Sequence, residues 1–257
     1  MVCFDKQKDY LLPFWFVCIL LVFWEISVAL GWIKSSFFPA PSMVLSGLWE
    51  LARTGKLFDH VVASLFRVTW GYLLGVILAI PFGICLGLST CMRRMFNPLI
   101  QFFRPVSPLA WIPISLLLFG IGDVPAIFLI FLAVFFPMVV FTTASIAGVK
   151  KIYWNAAFNF GLTGMEFYTK VLLPAAFPEM LVGLRITLGT AWLVIVAAEM
   201  IAVKSGLGYL IVDARNSMRM DQVLGGMFVI GVIGMGLDYC VRLIERSPVV
   251  KWKIARK

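Results

Sequence analysis

The chain has 257 residues, 61% of them hydrophobic and only 14% charged, with a mean hydropathy of +0.97 and a formal net charge of +9. Soluble domains lie nearer half apolar and about a quarter charged, so this composition excludes a soluble globular protein and predicts a polytopic membrane protein. The excess of Lys and Arg belongs with the cytoplasmic side of a membrane; no basic patch with interleaved aromatics accompanies it, which excludes nucleic-acid binding.

A helix needs about 20 apolar residues to cross the hydrocarbon core. The first such run is Leu11–Gly31, behind Lys6 and Lys8. It is longer than the 7–15 apolar residues of a signal peptide and lacks an A-x-A cleavage site, so it reads as a retained span. Next comes Phe38-Pro39-Ala40-Pro41-Ser42, a rigid turn because proline restricts both itself and its predecessor. Ser42 is the expected N-cap of a short helix lying on the membrane surface, with Val44, Leu45, Leu48 and Leu51 at helical spacing.

The second span is Val68–Leu88. Gly71, Gly75, Ala79, Gly83 and Gly87 recur there every four residues and make one face that another helix can approach closely, within the chain or across a dimer seam. The third, Leu99–Phe119, is irregular: Arg104-Pro105-Val106-Ser107-Pro108 opens it and Pro113 follows. Interior proline breaks or kinks a helix, and broken backbone at membrane depth survives only against protein or a water-filled cavity. This segment therefore faces a pathway, with a merely bent and packed helix as the alternative. The candidate path residues are Arg104, Pro105, Ser107, Pro108 and Trp111.

Val124–Gly148 is the fourth span, Leu181–Val203 the fifth and Val223–Leu243 the sixth. Glu199 and Arg185 lie in the fifth, as Glu25 lies in the first. Ionisable groups in spans usually face the bundle interior and pair. Glu199 is accordingly a candidate for the path or a structural hydrogen-bonding partner, and Arg185 and Arg104 either pair or snorkel to the headgroups. Between the last two spans, Gly206-Leu207-Gly208 permits a tight turn and Leu210, Ile211 and Ala214 share a face of the helix that follows. Putting both termini in the cytoplasm places thirteen Lys/Arg inside against seven outside, the orientation the positive-inside rule favours.

No enzyme constellation is present. His60 is the only histidine and Cys3, Cys18, Cys85, Cys91 and Cys240 contain no C-x-x-C pair, so no metal or cofactor site is expected. A phosphate-cradling loop needs G-x-x-x-x-G-K-[ST]; Lys34-Ser35 and Lys204-Ser205 lack the preceding glycines. Nucleotide binding is thus expected from another chain.

The remaining segment, between the fourth and fifth spans, is polar and helix-forming. It reads Asn155-Ala156-Ala157, three residues, Gly161, nine residues, then Val171, one residue, Leu173-Pro174. This resembles the cytoplasmic loop of the permease subunits of binding-protein-dependent ABC importers, E-A-A, three residues, G, nine residues, I, one residue, L-P. Asn155 stands for the usual Glu and Val171 for Ile. Phe37–Ser42, Arg104–Ile114 and Ala197–Met200 resemble the nitrate/sulfonate/taurine/bicarbonate branch of that family.

The resemblance implies an all-α bundle of six transmembrane helices of the MetI-like type I importer class. It implies a homodimer with cytoplasmic ATPase subunits beneath it and a periplasmic or lipid-anchored substrate-binding protein outside, in a bacterial inner membrane. Asn155, Ala156, Ala157, Gly161, Leu173 and Pro174 would couple to the ATPase, and the substrate would be a small oxyanion or organosulfonate. Residues 1–60 would form an N-terminal span and external amphipathic segment, 61–246 the core with its coupling loop at 148–180, and 247–257 a basic cytoplasmic tail. The alternatives are an importer permease for another small solute, an ion-coupled secondary transporter, which calls for an inverted repeat and more intramembrane carboxylates, and a membrane-embedded enzyme, which calls for a catalytic constellation.

Overall fold

The computed structural model describes residues 6–245, with side chains from 15 to 243; the basic tail lies outside the described residues. Within them the chain is helical, with no strand. The helices are α1 (Lys6–Ala29), α2 (Pro41–Arg53), α3 (Lys56–Leu88), α4 (Thr90–Phe103), α5 (Ile112–Phe119), α6 (Asp123–Ala147), α7 (Lys151–Asn159), α8 (Gly164–Phe167), α9 (Leu173–Ala202), α10 (Leu207–Asn216) and α11 (Met220–Glu245). A 3₁₀ turn at Pro108–Trp111 precedes α5, and a π turn at Tyr168–Leu172 joins α8 to α9.

The centre is α6, packed between α3 and α9. Its Leu129, Ile130, Val134, Met138 and Val139 are wholly buried. The glycine face of α3 meets α6 in register. A Cβ added at Gly71 would lie 2.6 Å from the Ile130 Cβ, at Gly75 2.8 Å from Val134, at Gly83 2.6 Å from Thr142 and at Gly87 2.6 Å from Ile146. Distances under 3 Å leave no room for a methyl group, so the two backbones sit as close as the small residues allow. The stripe is therefore a seam within the chain.

α3, α6, the continuous run Gly164–Ala202 and α11 are each long and apolar enough to cross a membrane. α4 and the segment Pro108–Phe119 count as a fifth span if taken together, bent by 83° at the break. The described residues thus give four or five spans against the six expected; the other candidate, α1, has only the shorter apolar stretch Trp15–Ala29 among them. Helix ends also differ from the apolar runs. α3 starts at Lys56 and not near Val68, because His60, Ser64 and Arg67 continue its buried face with polar groups that find protein partners.

α2 begins two residues earlier than expected. Ala40 is the N-cap in extended conformation and Pro41 takes the first helical position, where a missing N–H costs nothing. Ser42 does not cap its own helix: its N–H and hydroxyl both donate to the Glu25 carboxylate of α1, at 3.1 and 2.7 Å. The acid of the first span thus supplies the cap, a negative charge at a helix N-terminus. α2 turns Val44, Gly47 and Leu51 inward, with Leu48 against Gly225 of α11, and leaves Leu45 and Trp49 exposed.

Candidate functional site

Three parts of the molecule carry its polar chemistry: the segment after α6, the break after α4, and a knot at the N-terminal end of α3.

The segment after α6 folds as α7, a turn, α8 and the π turn. α7 ends in a Schellman motif: Leu162 N–H donates to the Ala157 carbonyl and Gly161 N–H to that of Phe158, both at 3.0 Å. The motif needs a left-handed residue, and Gly161 adopts φ +73°. Ala157 is buried and packs with Ile146, Phe167, Leu172, Ala176 and Met180. The Trp154 and Phe167 rings stand 4.6 Å apart beside them. This fastens α7 to the C-terminal end of α6 and the N-terminal end of α9. Asn155 and Ala156 are exposed, Leu173 is half-buried in the same cluster and Pro174 lies exposed in the first turn of α9. Ile152, Phe158, Phe160 and Met165 are large apolar side chains left in the open, Phe160 by 84%.

After α4 the chain breaks where the prolines predict. Ser107, pushed to extended geometry by Pro108 (φ −58°, ψ 129°), heads the 3₁₀ turn. The break opens a cleft of about 270 Å³, lined by Arg104, Pro108 and Trp111 on one side and by Phe136, Pro137 and Thr190 among others on the opposite side. The α6 and α9 residues come from the middles of those helices, so the cleft sits at mid-depth. Arg104 is exposed there, and Pro105 and Ser107 form the turn beside it. Phe103 stacks on Phe136 with centroids 5.6 Å apart and also meets Trp111, which holds the bent segment on α6.

Glu199 is placed elsewhere, near the C-terminal end of α9, with zero exposure. Ser64 donates to its two oxygens at 2.8 Å, Arg67 Nη1 to Oε1 at 2.7 Å and Gly208 N–H to Oε2 at 3.0 Å. Arg67 also binds Asp123 through Nε at 2.8 Å, and the Ser205 carbonyl and hydroxyl. The three successive N–H groups of Gly206, Leu207 and Gly208, which head α10, donate to His60 Nδ1, Ser64 Oγ and Glu199. A helix N-terminus leaves such donors without intrahelical partners, and here α3 and α9 supply them. A Cβ at Gly206 or Gly208 would run into Glu199. Arg185, the other charged residue of the fifth span, binds Asp238 of α11 at 2.6 Å.

Arg67, Ser64, His60 and Asp123 have roles that the reading of the chain as spans and loops missed. One signal was legible: positions 60, 64, 67 and 71 share a helix face that ends in the glycine stripe.

Fold and site together define a multi-pass, all-helical membrane protein with a structured segment between two spans. The profile of the family described as binding-protein-dependent transport system inner membrane component matches residues 71–247. The chain belongs to this family, the permease subunits of ABC importers. It is 37% identical over 235 residues to the taurine transport system permease protein TauC of Escherichia coli strain K12, covering 90% of this chain and 86% of that one. With the nitrate import permease protein NrtB of Leptolyngbya laminosa it shares 39% identity over 193 residues, 75% of this chain and 69% of that one. A chain of the MetNI methionine ABC transporter, solved in inward-facing conformations, superposes with a TM-score of 0.54 over 81% of this chain and 99% of its own. At 18% identity that likeness is one of fold.

Proposed function

We propose that this chain forms the translocation path of an importer for a small oxyanion or organosulfonate, as a homodimer driven by separate ATPase subunits. The observation that carries the reading is the two-sided segment α7–α8. One side, Ala157 and Phe167, is built into the spans; the other presents Ile152, Phe158, Phe160 and Met165. A contiguous apolar surface rimmed by polar residues marks a protein contact. An ATPase closing around nucleotide would push this surface as a rigid body, and the fastening to α6 and α9 would pass the motion to the bundle.

Asn155, Ala156, Ala157, Gly161, Leu173 and Pro174 make up the coupling unit. Asn155 has no charge, so any contact it makes with the ATPase is a hydrogen bond without an ion pair. Arg104, Pro105, Ser107, Pro108 and Trp111 form the path wall, and Glu199 serves the path by anchoring the outer end of α9 to α3. The anionic substrate class is supported by the exposed Arg104 at mid-depth and by the taurine and nitrate relatives. A substrate-binding protein would deliver the solute from outside. The chain sits in a bacterial inner membrane with both termini cytoplasmic; 61–246 is the core, 1–60 an added span with its external helix, and 247–257 a basic tail.

The test is cross-linking from a single cysteine at Phe158 or Thr163. It should capture the cytoplasmic ATPase with a yield that changes with ATP, and cells should take up taurine or nitrate through the complex. Labelling of these positions from the external face only, or nucleotide binding by the purified chain alone, would overturn the reading.

A further inference from the structure

We propose that the inner half of α4 carries a second anion-binding station, formed by Arg93, Asn97 and Gln101, which receives a small oxyanion or sulfonate after it leaves the cleft at Arg104. The inference rests on the transport reading above for the identity of the anion, and on the geometry of α4 for the site.

At 3.6 residues per turn, Arg93, Asn97, Gln101 and Arg104 fall within an arc of about 80° on α4. The other side of the helix carries Met95, Leu99 and Phe102, all exposed and apolar. α4 therefore has two open faces of opposite character. The apolar one suits lipid or a second copy. The polar one does not, because amides and guanidinium groups at membrane depth are stable only against protein or water.

The polar face opens on a cleft of about 230 Å³, walled by Leu86 of α3 and by Val139, Val140, Thr143, Ala144 and Ala147 of α6. These α6 residues lie between its middle and its inner end, below the level of the Arg104 cleft. A water occupies about 30 Å³ in the liquid, so the cleft has room for a small anion with part of its hydration shell. Its donors are the Arg93 guanidinium and the Asn97 and Gln101 amides; Thr143 spends its hydroxyl proton on the Gly83 carbonyl at 3.2 Å.

Charge favours an anion here. From residue 60 to 165 the chain holds one acidic residue, Asp123, against Arg67, Arg93, Arg94, Arg104, Lys150 and Lys151; α9 adds one carboxylate, Glu179, beside Gly148 at the end of α6, so cations still outnumber acids around the cleft. Asp123 is already bound to Arg67 at the outer end. Among the described residues neither Arg93 nor Arg104 has an ion-pair or hydrogen-bonding side-chain partner, and both line a cleft; Arg53, Arg94 and Arg215 also lack one but line neither cleft, whereas Arg67, Arg185, Arg219 and Arg242 are paired. The two free guanidinium groups are eleven residues apart, about 16 Å along a helix. That separation makes two stations of one path, with the amides between them.

The test uses the assembled complex in inside-out membrane vesicles, in a background with the five cysteines replaced by serine. Single cysteines are placed by Asn97→Cys and Gln101→Cys on the polar face and by Leu99→Cys and Phe102→Cys on the apolar face. Each is reacted with anionic sulfonatoethyl methanethiosulfonate and with its cationic trimethylammonioethyl counterpart, each rate taken relative to a free thiol. A focused positive field raises local anion concentration 10-fold or more. Positions 97 and 101 should therefore prefer the anionic reagent by about 10-fold. The preference should fall several-fold with Arg93→Gln, the remaining cations keeping a residue of it, and persist with Arg93→Lys, while 99 and 102 react with neither. Equal relative rates at 97 and 101 would overturn the station. So would reaction at 99 and 102 as fast as on the polar face, which is the pattern of a helix lying flat among headgroups. Since 97 and 101 report independently, failure of one variant to accumulate leaves the other to decide. If the charge preference holds while cells take up neither taurine nor nitrate, the station stands and the transport reading falls.

Discussion

Arg67 and Arg104 both sit in apolar helical surroundings, one at the N-terminal end of α3 and one at the break after α4. Arg67 is nearly inaccessible and spends its guanidinium on Asp123, Glu199 and both oxygens of Ser205. Arg104 is exposed in a mid-depth cleft and has no such partner among the described residues. A charge with all its donors satisfied holds helices together. A charge without a protein partner, in a place where bare charge costs roughly 2.5–3.5 kcal/mol, is left to water, headgroups or a solute. The knot around Arg67 is thus structural, and on the proposed transport reading the arginines of α4 are the ones open to solute.

The largest expected effect breaks the knot. Removing one partner of a buried pair costs up to about 3–5 kcal/mol where the other charge is left unpaired; Arg67 keeps Asp123, so the loss here comes from leaving Ser64, Arg67 Nη1 and the Gly208 N–H without their buried acceptor. Glu199→Ala should therefore lower the thermal midpoint of the purified complex sharply and reduce its level in the membrane. Adding Arg67→Leu should recover part of the loss. If Glu199→Ala is as stable as the parent, the knot is not what closes that end.

Arg104→Ala should behave in the opposite sense. The thermal midpoint should hold while uptake of an anionic solute falls about 10-fold, the lower end of what local charge contributes to capture. Uptake at the parental rate would return Arg104 to a snorkelling role.

Gly161→Arg tests the third region. A side chain at φ +73° is strained by about 1–2 kcal/mol, which a membrane bundle tolerates, but the α7–α8 turn should no longer hold its shape. The variant should insert normally yet lose uptake and co-purify less ATPase. Normal uptake with a normal complex would exclude the coupling role.

The smallest effect concerns the exposed pair between α2 and the start of α11, where Arg219 Nη2 lies 2.5 Å from Glu50. The Arg219 hydrogen bond and charge hold the Glu50 carboxyl below its ordinary value of 4.5. A carboxyl lowered on folding stabilises the folded chain above its ordinary pKa and ceases to as pH falls through the lowered one. Glu50→Gln should therefore reduce the thermal midpoint slightly at pH 7, by an amount that shrinks as pH falls below 4.5 and through the lowered value. A difference that persists in acid would show that the contact depends on shape and not on charge.

Much of the α7–α8 segment was legible because its demands are local. A left-handed residue after a short helix calls for glycine, and Gly161 stands where that need arises. The proline cluster at 105–108 likewise announces a broken helix, whatever lies around it. The polar knot was not legible in the same way. Arg67 reads as a loop cation when the span is taken to start at the first sustained apolar run, and Glu199 reads equally well as path or partner. Their meeting joins positions 132 residues apart, and no local pattern encodes it. The N-cap of α2 failed for the same reason: Ser42 has the right chemistry for a cap, but Glu25 from another helix took the site.

Composition and charge determined that the chain lives in a membrane, and loop spacing determined which kind of membrane protein it is, because hydropathy, turn chemistry and motif spacing act over a few residues at a time. Only the tertiary structure decided which arginines are satisfied and which are free. It also decided that the glycine face of α3 closes on α6, since both depend on which distant helices stand within a few ångströms of each other.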